Sequence, residues 1–167
     1  NHNDLDEENL EYIGTTKQKI PVHINKIFVN ASLKILTGII SPHHSAGFGG
    51  GRKSVLPGIS GIDSIRPHHS FPIRPFEPSM GWLDGNPMHE ASLEAARMAG
   101  VDFIVNVVNN IEEEIADIFA GELEQAFIEG VKLCNKIHRV SVSEKADVVI
   151  TSPGGFPRDF DLHQSQK

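Results

Sequence analysis

Apolar residues in this chain gather in short runs separated by polar segments, and the runs predict alternating strands and helices. Residues 33–40 form a continuous apolar run rich in β-branched side chains, short enough for one buried strand. The run at 102–108 predicts a second buried strand. Further strands are predicted at 26–30, 138–142 and 147–151. The polar, acidic residues 1–20 predict a loop with at most a short helix.

Two segments between these runs predict helices. Asn86 and Pro87 are typical of an N-cap and a first helical position, and Gly100 is typical of the residue after a helix end. Residues 120–137 carry apolar side chains at intervals of four and predict a second helix. Strands that alternate with helices predict an α/β fold with a largely parallel sheet and flanking helices.

Composition and charge narrow the possible partners. The chain has 167 residues, a formal net charge of −7 and no basic stripe, which argues against nucleic-acid binding. No run of about 18 apolar residues is present, so neither a membrane span nor a signal peptide is expected. The single cysteine, Cys134, excludes an intramolecular disulfide and fits a reducing cytoplasm. Its neighbours predict a buried helix position.

The segment at 41–87 is rich in Gly, Pro, Ser and His, and it is too long for an idle connection in a compact domain. It follows a predicted strand, where α/β sheets place their ligands. Its glycines at 47, 49, 50 and 51 permit positive φ angles, and consecutive amides in such a loop form an anion site. A flexible turn is the alternative, and Arg52 and Lys53 at the end of the loop favour the anion site.

A nucleotide-binding P-loop is a near match for this segment. The P-loop pattern requires a glycine where Arg52 stands, directly before the lysine. Pro57 and Gly58 follow closely and would limit any helix after Lys53 to one turn. The P-loop hypothesis is therefore disfavoured.

Histidines bracket the glycine loop. Nine histidines occur in the chain, and four of them form the pairs 43–44 and 68–69. Their spacing excludes a metal motif on one helix, so a shared site requires the loop to fold back on itself. Imidazole is both a common base at neutral pH and a common nickel ligand, whereas an isolated histidine is more often a core or surface residue. Both alternatives stay open on spacing alone.

The string HHSAGFGGGRKSVLPGISGIDSIRPHH closely resembles the signature of the lactate racemase family, whose enzymes use a nickel-pincer nucleotide derived from nicotinic acid mononucleotide. The resemblance continues in WLDGNPMHEASLEAARMAGVDFIVNVV and in SPGGFPRDFDLHQSQK, so it covers nearly the whole chain. It implies an isomerase that racemises or epimerises a 2-hydroxy acid. It also implies cofactor-synthesis proteins as partners for loading.

The resemblance implies roles for individual residues. Lys53 would link covalently to the thiocarbonyl of the cofactor, His69 would bind nickel, and His43 would be one of two acid/base histidines. Gly49, Gly50, Gly51 and Arg52 are expected to contact the cofactor. Gln164 and Lys167 would bind the substrate carboxylate and adjacent cofactor groups. His44 and His68 are expected to have supporting or structural roles.

The resemblance also implies a domain division and an incomplete site. Residues 1–137 would be the main part of the N-terminal catalytic domain, and 138–167 would be the interdomain region with the beginning of a C-terminal domain. The second acid/base histidine belongs to a preceding segment of the family. Two alternatives are a non-catalytic nickel- or phosphate-binding module and an inactive fragment that needs a partner segment. The predicted strand at 147–151 should lie parallel to that at 33–40, which would place Gln164 and Lys167 beside the glycine loop.

Overall fold

The computed structural model describes residues 1–152 and 154–156. The strands in this part of the chain are β1 Leu10–Thr15, β2 Pro21–Asn25, β3 Ile35–Ile39, β4 Pro42–His43, β5 Gly47–Phe48, β6 Phe103–Asn109 and β7 Ile115–Gly121. The α-helices are α1 Lys26–Val29, α2 Ile62–His68, α3 Pro87–Met98 and α4 Gln125–His138. Two 3-10 turns complete the described elements, at Glu7–Asn9 and Gly51–Ser54.

A three-stranded sheet in the order β3-β6-β7 forms the centre of the fold. β3 and β6 are parallel, with Leu36 opposite Ile104, and β7 adds an antiparallel edge. One face of the sheet packs against α4, which buries Phe127 and Val131. Full burial of a large aliphatic side chain such as Ile104 stabilises the fold by ~1.5–3 kcal/mol. The predicted α/β class is confirmed, and the sheet is mixed, with one parallel and one antiparallel pairing.

Two of the strand predictions are confirmed, one with shorter bounds and one shifted by a residue. The apolar run at 33–40 contains β3, and the run at 102–108 contains most of β6. The strand predicted at 26–30 is wrong, because this segment forms α1. The Asn25 side chain caps that helix by accepting a hydrogen bond from the Ile27 N–H.

The strands predicted at 138–142 and 147–151 are wrong. α4 continues to His138, and 139–152 contains no regular element. The valines at 140, 142, 148 and 149 are exposed. A strand needs a partner for its backbone groups, and no strand among the described residues pairs with this segment. The parallel arrangement inferred for 147–151 is therefore wrong too.

Both predicted helices are found. Asn86 caps α3 by accepting from the Met88 and His89 N–H groups, and Gly100 follows the helix with a φ of 70°. α4 begins later than predicted because β7 occupies the start of the segment. Its expected apolar face is buried, at Leu123, Phe127 and Val131. No helix in the described ranges is long and apolar enough to cross a membrane.

Three elements have no counterpart in the sequence predictions. β1 and β2 form an antiparallel hairpin, so the prediction of a loop with at most a short helix over residues 1–20 is wrong at β1. β7 pairs with β6. α2 lies inside the segment predicted as one long loop, and it ends at the second histidine pair. The domain division after residue 137 stays a prediction, and it falls beside the end of α4.

Candidate functional site

The glycine loop connects β4 and β5 to the 3-10 turn Gly51–Ser54. Gly47, Gly50 and Gly51 have positive φ angles of 76°, 78° and 52°. A Cβ on Gly50 would lie 2.7 Å from Asn106 Oδ1, and one on Gly47 would lie 2.1 Å from the Trp82 carbonyl oxygen. These glycines are therefore required by the close packing of the loop on its own protein.

The loop amides are directed largely inward. Gly51 N donates to Asn106 Oδ1 at 2.7 Å, and Gly49 N donates to the Ser41 carbonyl oxygen at 2.7 Å. The predicted anion cradle of consecutive loop amides is therefore not formed by these two groups. Contact of Gly49, Gly50 and Gly51 with a cofactor stays a prediction.

Arg52 lies in the interior and is only 1 % exposed. Its guanidinium donates to the carbonyl oxygens of Ala46 at 2.9 Å and Gly50 at 3.2 Å, and it lies 4.4 Å from the centre of the Phe127 ring. Burial lowers the pKa of Arg52 to about 9, so the side chain stays charged at neutral pH. The guanidinium thus connects the loop to α4, through hydrogen bonds to loop carbonyl oxygens and its contact with the Phe127 ring. This position favours support of the loop over the predicted direct contact with a cofactor.

Lys53 follows at the end of the loop and lies near the second histidine pair. Burial is the main cause of a lowered pKa for His69. The hydrogen bond to Ile65 raises that pKa, and the positive charges of Lys53 and Arg74 lower it further. The Lys53 charge also acts on His68. The fold therefore brings together Lys53 and His69, which are sixteen positions apart in the printed sequence.

The second histidine pair stands at the C-terminal end of α2. His69 is exposed, and its Nδ1 lies 3.1 Å from the carbonyl oxygen of Ile65. His68 is buried, with Nε2 at 3.1 Å from the Met88 carbonyl oxygen and 3.0 Å from Ser92 Oγ. Burial lowers the pKa of His68 to about 4. The ring of His68 is thus neutral and held between α2 and α3, which agrees with its predicted supporting role.

The first histidine pair lies on the β4–β5 hairpin. His43 Nδ1 accepts hydrogen bonds from the N–H groups of Ser45 at 3.2 Å and Ala46 at 3.1 Å. An acceptor nitrogen carries no proton, so in this arrangement the His43 ring is neutral and has its proton on Nε2. Asn86 holds the turn against α3 by donating to the Ser45 carbonyl oxygen at 2.9 Å. His44 stacks on His43 with ring centres 4.5 Å apart.

The structure describes three of the predicted site residues, His43, Lys53 and His69, close to the glycine loop and the second histidine pair. His43 and Lys53 flank the same loop, and the Lys53 charge acts on His69, whereas Gln164 and Lys167 lie outside the described residues. Across 1–152 and 154–156, no three His, Cys, Asp or Glu side chains gather into a metal-binding cluster.

The sequence predictions did not include two buried residues that shape the site, Asn106 and Ser92. Asn106 holds Gly51, and its polar side chain within an apolar strand is a signal that sequence reading could have used. Ser92 holds His68 from α3, and nothing in its local sequence points to that contact.

Comparison with known sequences gives consistent matches. The family model of the lactate racemase N-terminal domain matches residues 1–80. A lactate racemase from Thermoanaerobacterium thermosaccharolyticum is 40% identical over 168 residues, which is 99% of this chain and 39% of that protein. A lactate racemase from Lactiplantibacillus plantarum is 35% identical over 167 residues, again 99% of this chain and 39% of the relative. The chain thus spans about 39% of the length of these relatives.

Comparison with solved structures agrees with the sequence matches. The apoprotein of the Thermoanaerobacterium thermosaccharolyticum lactate racemase superposes with a TM-score of 0.90 at 40% identity, over 98% of this chain and 39% of that one. A Thermotoga maritima protein solved by structural genomics has a TM-score of 0.69 at 24% identity, over 83% of this chain and 39% of its own, and shows the fold alone. Over nearly its whole length this chain is similar in sequence and in structure to lactate racemases.

Proposed function

We propose that this chain carries part of the active site of a racemase or epimerase for a lactate-like 2-hydroxy acid, with a nickel-pincer nucleotide attached covalently at Lys53. Relatives named lactate racemase support the reaction class. One observation carries the assignment to this site: the positive charge of Lys53 is among the causes that lower the pKa of His69. An amine for attachment and an imidazole for nickel are thus within electrostatic reach of each other.

The donor set fits this cofactor. Imidazole nitrogen is a good ligand for nickel, and His69 Nδ1–H donates a hydrogen bond to the Ile65 carbonyl oxygen, which leaves the Nε2 lone pair for a metal. Within the described part of the chain, side chains alone form no three-ligand metal cluster. His69 would be the protein side chain that holds the nickel of this cofactor.

The remaining chemistry belongs to the substrate and to His43. When bound, the nickel-pincer nucleotide supplies a reversible acceptor for the hydride from the hydroxyl-bearing carbon. Imidazole is far too weak a base to remove the hydrogen of this C–H bond as a proton. His43 moves the hydroxyl proton. With its proton on Nε2, His43 is in the state that returns a proton to the oxygen of the planar 2-oxo acid. Accepting the hydroxyl proton at Nε2 requires the other tautomer, which gives up the Ser45 and Ala46 hydrogen bonds.

Inversion needs groups on both faces of the planar acid. The second acid/base histidine, implied by the family resemblance for a preceding segment, would serve the opposite face. Lys167 would supply a point charge for the substrate carboxylate, with Gln164 beside it. In this proposal Arg52 acts by holding the loop and Lys53 in place, and Gly49, Gly50 and Gly51 contact the cofactor next to Lys53.

The test uses the full-length protein co-expressed with the cofactor-synthesis proteins. We expect an increase in intact mass from the nucleotide, bound nickel, an adduct that peptide mapping finds on Lys53, and racemisation of a 2-hydroxy acid. Lys53→Arg should lose the adduct. The matched control is Lys132→Arg on α4, whose exposed ammonium pairs with Glu129, and it should load normally. An adduct on another residue would refute the attachment site, and nickel without a nucleotide on Lys53 would favour a non-catalytic metal-binding module.

A further inference from the structure

A chain of hydrogen bonds connects the interior of the protein to His69. It starts at the Leu56 carbonyl oxygen and passes through Ser92 and His68, both fully buried. It ends where His68 Nδ1 lies 3.4 Å from His69 Nδ1. The proposed function makes no use of Ser92 or His68.

The direction of each hydrogen bond follows from what its partners can do. Ser92 Oγ lies 2.8 Å from the Leu56 carbonyl oxygen, which can only accept, so the hydroxyl proton points to Leu56. Ser92 Oγ must then accept from His68 Nε2 at 3.0 Å. The Met88 carbonyl oxygen, 3.1 Å from the same nitrogen, is a second acceptor. The His68 proton therefore lies on Nε2, and its Nδ1 carries a lone pair.

The lone pair on His68 Nδ1 affects which nitrogen of His69 carries the proton. His69 Nδ1 has two neighbours, the Ile65 carbonyl oxygen at 3.1 Å and His68 Nδ1 at 3.4 Å, and both are acceptors. The carbonyl is the closer partner, and the His68 nitrogen presents no proton that would compete for it. His69 is therefore held with its proton on Nδ1 and its lone pair on Nε2. A histidine ring in water prefers the opposite tautomer, so this arrangement reverses the intrinsic preference.

We infer that Ser92 and His68 are positioning residues that fix the tautomer and ring orientation of His69, so that Nε2 is the nitrogen presented to nickel. The inference rests on the proposed function for the identity of the metal. The tautomer itself is a property of the metal-free protein and is measurable without nickel. Hydrogen-bonded partners of this kind orient metal-binding histidines and, when removed, typically cost about 10–100-fold in metal affinity.

The first experiment is nitrogen NMR of the metal-free, full-length protein labelled at histidine. The His69 signals are assigned by their loss in His69→Asn. We expect a protonated Nδ1 and an unprotonated Nε2 for His69, and the reverse for His68. A His69 that carries its proton on Nε2 in the wild-type protein overturns the inference, whether or not any variant folds.

Two variants then test the role of the hydrogen-bond chain through Ser92 and His68. His68→Phe keeps a ring in the buried space but removes the acceptor, and Ser92→Ala removes the hydroxyl, with Ser92→Thr as the control that retains it. We expect the tautomers of His69 to mix in His68→Phe and, less strongly, in Ser92→Ala, and we expect cofactor-loaded protein to lose nickel faster on dialysis. Ser92→Thr should behave as wild type. An unchanged His69 spectrum in His68→Phe would contradict the positioning role of His68. If His69 shows the expected tautomer but Lys53 carries no adduct, the proposed function fails and the positioning role of Ser92 and His68 is retained.

Discussion

The two histidine pairs have the same sequence and opposite hydrogen-bonding patterns. At the β4–β5 hairpin, His43 Nδ1 accepts from two backbone N–H groups, so the proton lies on Nε2. At the end of α2, His69 Nδ1 donates to the Ile65 carbonyl oxygen, so the lone pair lies on Nε2. A tight turn presents N–H groups, whereas the last turn of α2 presents the Ile65 carbonyl oxygen, which accepts both the backbone N–H and the ring Nδ1–H of His69. The backbone, and not the dipeptide, therefore places the proton on Nε2 of His43 and the lone pair on Nε2 of His69, as the roles proposed for them require.

The supporting member of each pair differs as well. His44 stacks on His43 with an angle of 21° between the rings and is half-buried. His68 meets His69 edge-on at 73° and is fully buried against α3. The first pair is thus supported by ring stacking beside a turn, and the second by a buried hydrogen-bond chain. We expect His69 to be the more rigid of the two functional rings.

The largest effect is expected at His69. His69→Asn places an amide N–H where Nδ1–H stood, which keeps the hydrogen bond to Ile65 and removes only the outer nitrogen. We expect the full-length protein to fold and to lose nickel readily on dialysis, with racemase activity lost along with the metal. Metal analysis after dialysis is the measurement. Full nickel retention in this variant would show that His69 is not the ligand.

His43 should respond differently to the same substitution. In His43→Asn the amide oxygen takes the place of Nδ1 and can accept from Ser45 and Ala46, so the turn is retained. Nickel and cofactor should stay bound, and turnover should fall by about 10²–10⁴, the usual scale for an acid/base group. The measurement is kcat alongside nickel content. Equal nickel loss in His43→Asn and His69→Asn would remove the distinction between the two pairs.

Arg52 connects the surroundings of both pairs, since it binds the Ala46 carbonyl oxygen next to His43 and precedes Lys53 beside His69. Arg52→Met keeps the packing on Phe127 but removes the guanidinium hydrogen bonds to the Ala46 and Gly50 carbonyl oxygens, which then keep only their backbone donors. We expect a loss of about 1–3 kcal/mol in the free energy of unfolding, measured by urea titration. Arg52→Lys, which retains a donor, should lose less. If Arg52→Met leaves the free energy of unfolding unchanged, the proposed support of the loop by Arg52 is contradicted.

Sequence reading predicted the elements whose signals are local. The apolar runs of β3 and β6 and the Asn86 cap of α3 each carry their information within a few residues. β7 was not predicted, because its exposed residues gain their order by pairing with β6, which a turn at Asn110 brings into register. The strands predicted at 138–142 and 147–151 failed for the same reason, since pairing is not a local property.

The candidate site divides in a similar way. The residue types and the two histidine pairs are visible in the sequence, and the family resemblance supplies roles for His43, Lys53 and His69. The position of the proton on each ring is not visible, because it depends on backbone groups and on Ser92, which the fold brings from a distance. The inward direction of Arg52 also follows from tertiary packing on Phe127.

The smallest expected effect is on the pH dependence of stability. It tests whether burial lowers the pKa values of the supporting histidines. Burial lowers the pKa of His68 to about 4 and that of His89, on α3 beside Phe127, to about 3. The positive charges of Arg52 and Arg97 add to the effect at His89. Below the ordinary histidine pKa of about 6.5 the unfolded chain takes up protons that the folded protein does not, so stability falls as the pH drops from about 6.5 towards 4.

Each such group contributes a slope of at most about 1.4 kcal/mol per pH unit to the free energy of unfolding. Urea titrations of the full-length protein at several pH values measure this slope. His89→Gln removes one of the two groups and should show a shallower decline below pH 6, whereas above pH 7.5 it should run parallel to the wild type. The His89 ring stacks on Phe127, so His89→Gln changes the acid sensitivity while His43 and His69 are both retained. A wild-type stability that stays flat between pH 7 and 5 would mean that these buried rings accept protons as readily as exposed ones, and the contrast between supporting and functional histidines would lose its basis in burial.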